Sequence, residues 1–251
     1  QHVSGNPDEW TDYLISPSQY QELQGLNLDY TILSNDIIQN QIFAQQSYHT
    51  LEEMKTILKD IANSYPDITR LFSLGKTYEN RDIWCLEISD QPGFNDQDPG
   101  VLFTGVHHAR EWPTMEICLH IAQNLTQNYD KEDDIFQLVN TRNIWIIPCV
   151  NPDGYYFSHD HTIQHEWRKN RRYFPEYETY GVDVNRNYDG SINGDSDGMW
   201  GSLGGSVSHN PLYETYCGPY PSSEDETRII TEFIKDHDVS AAISYHTYGE
   251  L

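Results

Sequence analysis

Two His-x-x-Glu pairs occur in the chain, His49 with Glu52 and His108 with Glu111. Such a pair supplies an imidazole and a carboxylate one turn apart, which is two thirds of a His2Glu zinc site. From 11 His and 17 Glu in 251 residues, chance alone supplies about 0.7 such pairs, so context must separate them. His49 and Glu52 flank Thr50 and Glu53, whose spacing is that of a capping box, and polar residues there serve helix initiation. His108 and Glu111 instead follow the apolar run Val101–Val106 and precede Pro113, a residue suited to the first turn of a helix. Ligands of open α/β sheets gather at the C-terminal ends of strands, so the second pair is the better metal site.

A catalytic zinc takes three protein ligands and keeps one position open. His246 closes the apolar run Val239–Tyr245, and parallel strands bring their C-terminal ends to one edge, which makes it the natural third ligand. Spacing alone leaves a competitor, because His107 lies four residues before Glu111. His159, His161 and His165 fall in a polar stretch without a carboxylate framework and read as surface residues.

These residues need a scaffold. Leu51, Met54, Leu58 and Ile61 repeat at helical spacing up to Pro66. Strand-like runs follow at Thr69–Leu74, Ile83–Ile88, Val101–Val106 and Asn143–Val150, with an apolar-faced helix near Thr114–Asn128 between the last two. Residues 151–221 are rich in Gly, Asn, Asp and Tyr and nearly aperiodic, which in a compact domain marks a functional loop region. Ser222, Ser223 and Glu226 signal a last helix, and Val239–Tyr245 reads as a buried strand. The alternation predicts an α/β fold, a sheet covered by helices on both faces. Residues 1–45 are Asn/Gln-rich and read as an appendage, with a short helical pattern near Ser16–Leu26 and an alternating stretch at Leu28–Leu33; the main domain spans 46–251.

The composition, 37% hydrophobic and 13% aromatic, is that of a globular chain. The formal charge of −24 and a pI near 4.5 argue against nucleic acid and anionic membrane surfaces as partners. Cys85, Cys118, Cys149 and Cys217 form no CxxC pair and leave the redox compartment open. No apolar run reaches the roughly 18 residues of a membrane span. The first residue is Gln1, so a signal peptide would be lost from view.

The segment Gly105-Val-His-His-Ala-Arg-Glu-Trp112 resembles the first zinc-binding motif of the carboxypeptidase A/B family of metallocarboxypeptidases. Further similar stretches follow in order: Asn151-Pro-Asp-Gly154, Trp167-Arg-Lys169, Gly181-Val-Asp-Val-Asn-Arg-Asn187, Gly218-Pro-Tyr-Pro-Ser-Ser-Glu224 and Ser244-Tyr-His-Thr-Tyr248. The resemblance, from about Tyr48 to the chain end, implies one Zn2+ held by His108, Glu111 and His246, with Asp183 orienting His108 through its second ring nitrogen. It implies Arg168 as the oxyanion donor, Asn185 and Arg186 as the grip on a terminal carboxylate, and Arg110 and Tyr248 as lining the next subsite. The implied activity is hydrolysis of the last peptide bond of peptides and proteins by a metal-activated water, in a secreted or extracellular setting. Residues 1–45 are similar to the end of an activation propeptide, a linker being the plainer alternative.

The family's general-base Glu and specificity-pocket residues lie well beyond the third ligand, and this sequence ends at Leu251. The resemblance implies a mixed, mostly parallel twisted sheet, and the expectation is therefore a partial catalytic domain with that sheet incomplete, an exposed edge and impaired turnover. Two alternatives accompany it: a pseudo-peptidase that binds zinc and peptide ends, and a deacylase of the aspartoacylase type. Asn185-Arg186 and Gly218-Pro-Tyr220 favour the peptidase.

Overall fold

Thr50 starts the first helix of the main body as its spacing predicts. In the computed structural model, which describes residues 2–5, 11–13, 23, 26, 29, 48–94, 98–161, 165–189, 200–201 and 207–247, the Thr50 side chain accepts from the Glu53 amide, and Glu53 Oε2 accepts from the Thr50 amide at 2.8 Å. This helix, α1 (Leu51–Ser64), buries Met54, Leu58 and Ile61. Its His49 neighbour pairs with Glu116 at 2.7 Å rather than with Glu52, a structural tie.

Five strands build the central sheet: β3 (Thr69–Lys76), β4 (Asp82–Ile88), β5 (Gly100–Thr104), β6 (Asn143–Ile147) and β9 (Val239–Ser244), in the order β3-β4-β6-β5-β9. Strands β1 (His2–Gly5) and β2 (Thr11–Tyr13) form a separate antiparallel hairpin not anticipated from the sequence, and β7 (Tyr173–Phe174) and β8 (Thr179–Tyr180) another. In the main sheet β4 runs against both neighbours, whereas β6, β5 and β9 run parallel. Four of the five strands therefore point one way. Further α-helices among the described residues are α2 (Pro113–Asn128), α3 (Asp133–Val139), the single turn α4 (Pro152–Tyr155) and α5 (Asp225–Asp236).

Alternation along β4 and β6 divides the core in two. Leu86, Ile88, Ile144 and Ile146 face α1 and α2, meeting Met54, Leu58, Met115 and Leu119. Ile83, Cys85, Trp145 and Ile147 face α5, meeting Ile229, Ile230 and Phe233. Each such side chain contributes roughly 1.5–3 kcal/mol by leaving water, which is what fixes helices on both faces. The buried Asp153 of the Asn-Pro-Asp-Gly stretch joins these layers to the β3–β4 turn, accepting from Thr77 Oγ1 at 2.7 Å, the Glu79 amide at 2.8 Å and Arg81 Nη1 at 2.8 Å.

Several expectations are corrected. Strands β5 and β6 end at Thr104 and Ile147, two and three residues early, because the chain leaves the extended conformation at Val106 and bends at Pro148. The last helix begins at Asp225 without a serine cap, since Ser223 Oγ is engaged by Glu224 Oε1 at 2.7 Å and Asn187 Nδ2 at 2.9 Å. Strand β9 is not buried: among the described residues it is an edge strand bonded only to β5, and from Ser240 to Ser244 its residues are exposed. The expected helix near Ser16–Leu26 and strand at Leu28–Leu33 lie almost wholly outside the described residues. The four cysteines are buried free thiols, and among the described residues no helix is long and apolar enough to cross a membrane.

Glu226, in the first turn of α5, is buried and shares the Asn170 amide with Glu224, its Oε2 accepting at 3.1 Å and that of Glu224 at 2.8 Å. Burial, aided by the adjacent Glu224 carboxylate, pushes its carboxyl from 4.5 up to about 8. A folded pKa above the unfolded one means that its contribution is fully present below about pH 4.5 and is lost as pH rises through about 8. Glu226→Gln is expected to flatten the fall in urea-unfolding free energy over that window by a few kcal/mol. Parallel pH profiles of variant and parent would refute the assignment.

Candidate metal centre

The site is assembled at the C-terminal ends of β5 and β9. Gly105 must be glycine, because a Cβ there would stand 2.7 Å from the Pro148 carbonyl and 2.8 Å from that of Thr114. Val106 then adopts φ +50°, a left-handed conformation that a β-branched residue takes only under constraint. Its N–H donates to Thr114 Oγ1 at 2.8 Å and its carbonyl accepts from the Asn151 amide at 3.0 Å. Strain of this kind costs about 1–3 kcal/mol and concentrates at functional sites. Here it turns the chain so that His107 and His108 take different partners.

His108 Nδ1 faces Glu111 Oε1 at 2.7 Å. Across the sheet, Thr104 pairs with Ser244 and the Tyr245 amide extends the ladder to the Thr104 carbonyl at 2.9 Å, so His246 arrives beside His108. His246 Nδ1 lies 3.2 Å from His108 Nδ1 and 2.8 Å from Glu111 Oε2. His107 is turned away, its ring nitrogens 3.1 Å from Ser244 Oγ and 2.8 Å from the Tyr188 hydroxyl. Of the two histidines that spacing left open, the fold brings His108 to Glu111.

Behind His108 stands Asp183, fully buried at the start of the 3-10 turn Val184–Arg186. Its Oδ1 lies 3.2 Å from His108 Nε2 and accepts from the Asn185 amide at 3.0 Å; its Oδ2 accepts from Arg168 Nε at 2.9 Å and Nη2 at 2.8 Å. Burial opposes charge on Asp183, but His108 and Arg168 outweigh it and hold the carboxyl down at about 2. Burial likewise works against Glu111, yet His108 and His246 keep it at about 2. For His108 burial favours the neutral ring, and the carboxylates of Asp183 and Glu111 overcome it and raise its pKa. Burial, with His246 and His108 nearby, holds His107 neutral, its pKa at about 3.

The donor set fits a zinc ion. Metal–nitrogen bonds of about 2.0–2.1 Å at a tetrahedral angle place two ligand nitrogens about 3.3 Å apart, and the two Nδ1 atoms are 3.2 Å apart. One ligand atom from each of His108, Glu111 and His246 lies within 4.8 Å of the others. Asp183 at Nε2 of His108 leaves its Nδ1 lone pair for the metal.

The other expected residues are distributed unevenly. Asn185 Nδ2 reaches to 3.4 Å from His246 Nε2, and Arg186 Nη1 donates to the Asn185 carbonyl at 3.1 Å. Arg110 Nη1 meets the Glu166 carbonyl at 3.2 Å and Glu214 Oε2 at 3.3 Å. Tyr248 lies outside the described residues. Of the basic run, only Arg168 meets the metal site's Asp183. Lys169 Nζ donates to the Pro211 carbonyl at 2.8 Å, Arg171 stacks on Phe157 and Tyr180, and Arg172 pairs with Glu224. His159 and His165 are buried rather than on the surface, because both pack edge-on against Trp112, beside the metal loop. Sequence reasoning missed Ser244 as a neighbour of the site, although strand periodicity puts residues two apart on the same side.

Comparison with known proteins identifies relatives of the chain. The family profile described as zinc carboxypeptidase matches residues 54–251. A zinc carboxypeptidase of Saccharothrix mutabilis subsp. capreolus is 37% identical over 214 residues, covering 81% of this chain and 46% of that protein. Carboxypeptidase A2 of Rattus norvegicus is 32% identical over 247 residues, 91% of this chain and 55% of that protein. The crystal structure of carboxypeptidase A from Helicoverpa armigera superposes with a TM-score of 0.71 at 25% identity, over 92% of this chain and 58% of that one. The chain thus spans about half the length of the relatives it matches.

Proposed function

The chain belongs to the zinc carboxypeptidase family, and we propose that it acts in the hydrolytic release of C-terminal residues from peptides and proteins in a secreted setting. The observation that carries this reading is the meeting of His108, Glu111 and His246 donor atoms, backed by the buried Asp183. Zinc bound there would supply a Lewis acid and make a water nucleophile available near neutral pH.

The chain's own residues supply charge stabilisation and substrate binding. Asp183 holds Arg168 by two N–H groups, so the guanidinium needs no reorganisation to donate its remaining Nη1 to a carbonyl oxygen gathering charge. Asn185 and Arg186, on the turn capped by Asp183, bind the substrate's α-carboxylate, for which a planar Arg fork is suited. Arg110 and Tyr248 line the adjoining subsite. Residues 1–45 form the end of a propeptide and 46–251 part of the catalytic domain.

The test compares a peptide bearing a free C-terminal carboxylate with its C-terminal amide, titrated against the zinc-loaded chain by calorimetry. The free acid is expected to bind more tightly by roughly 10–100-fold, the worth of one charge-assisted hydrogen-bond set, and Arg186→Ala is expected to remove that preference. Equal binding of acid and amide would sink the reading.

A further inference from the structure

The two histidines of the centre are held differently. His108 is buried with Asp183 behind it, whereas the His246 side chain is 33% exposed just past the end of an edge strand, and the contacts of its Nε2 are Ser244 Oγ at 3.2 Å and Asn185 Nδ2 at 3.4 Å. The amide nitrogen of Asn185 is a donor. When His246 presents Nδ1 to a metal, its Nε2 carries the proton and needs an acceptor, and of these two groups only the Ser244 hydroxyl can accept.

Proton direction then propagates. Ser244, having accepted, donates its own hydrogen to His107 Nδ1 at 3.1 Å, and His107 Nε2–H points to the Tyr188 oxygen at 2.8 Å. His107 is buried, and its ring packs against that of Tyr188 with centroids 5.7 Å apart. An exposed ligand is thus tied through one hydroxyl to a ring fixed in the interior. Resting on the metal reading above, we infer that Ser244, His107 and Tyr188 form a relay of positioning residues that holds His246 in its metal-binding tautomer and orientation, the neutral counterpart of Asp183 at His108.

The experiment measures zinc affinity of the full 251-residue chain by competition with a chromophoric chelator, together with the visible spectrum of the cobalt(II)-substituted protein. Ser244→Ala is expected to weaken zinc binding roughly 10–100-fold, as removal of a partner behind a ligating imidazole does, and to shift the cobalt bands. Ser244→Thr keeps the hydroxyl and is expected to restore affinity to within about threefold. Tyr188→Phe should weaken binding in the parent but add nothing in the Ser244→Ala background, since both cut one chain. Because Ser244 is exposed, the urea midpoint of metal-free Ser244→Ala is expected to stay at the parent value. Unchanged affinity and cobalt spectrum in Ser244→Ala, with zinc binding by the parent intact, overturn the relay and leave the metal centre standing. Failure of the parent to bind zinc overturns both.

Discussion

His108→Ala is expected to abolish tight zinc binding, weakening it roughly a thousandfold, while His49→Ala leaves affinity unchanged. The magnitude is the upper end of sharing the roughly 10–16 kcal/mol of a four-ligand zinc site among its ligands, about 2.5–4 kcal/mol for each. The contrast follows from where the two His-x-x-Glu pairs lie: His108 Nδ1 is 3.2 Å from His246 Nδ1, whereas His49, just before α1, is bound to Glu116 on α2 and among the described residues belongs to no cluster of three donors. Competition with a chelator at fixed pH reads both variants in one assay. Equal loss from the two, or none from His108→Ala, would dissolve the centre.

The second large effect is expected at Asp183. Its carboxylate is fully buried and serves four groups at once: His108 Nε2, two N–H groups of Arg168 and the Asn185 amide. Asp183→Ala leaves the Arg168 charge without its counterion, and breaking one side of a buried pair typically destabilises by about 3–5 kcal/mol. It also frees the His108 ring, for which a further loss of roughly 10–100-fold in zinc affinity is expected. The two effects separate experimentally, the first in urea melts of the metal-free protein and the second in zinc titrations. Combining Asp183→Ala with Arg168→Met should recover part of the lost stability, because no unpaired charge then remains. Strict additivity of the two substitutions would show that the buried pair is not what holds this corner together.

Much of the fold was legible because its signals are local. The capping box at Thr50 and Glu53, the helical spacing of Met54, Leu58 and Ile61, and the apolar runs of β4, β5 and β6 depend on neighbours in sequence, and each element appeared within a few residues of its expected place. Where a local signal failed, a distant group had intervened. Ser223 did not cap α5 because Asn187, 36 residues away, engaged its hydroxyl. His159 and His165 read as surface because their stretch is polar, yet Trp112 on another segment buried them both. Strand β9 looked buried by composition, and its exposure comes from having a single strand neighbour, a property of sheet order.

The sequence by itself determined the inventory: a His-x-x-Glu at a strand end, a distant His closing another strand, and an Asp and an Arg in the loops between. What only the tertiary structure decided was which nitrogen faces which partner. His107 and His108 are adjacent and chemically identical, and their roles were separated by the left-handed turn at Val106, which Thr114 and Asn151 impose from other segments. Ligand identity is a matter of direction at the scale of an ångström, and direction is set by contacts between residues far apart in the chain, which spacing along the chain does not encode.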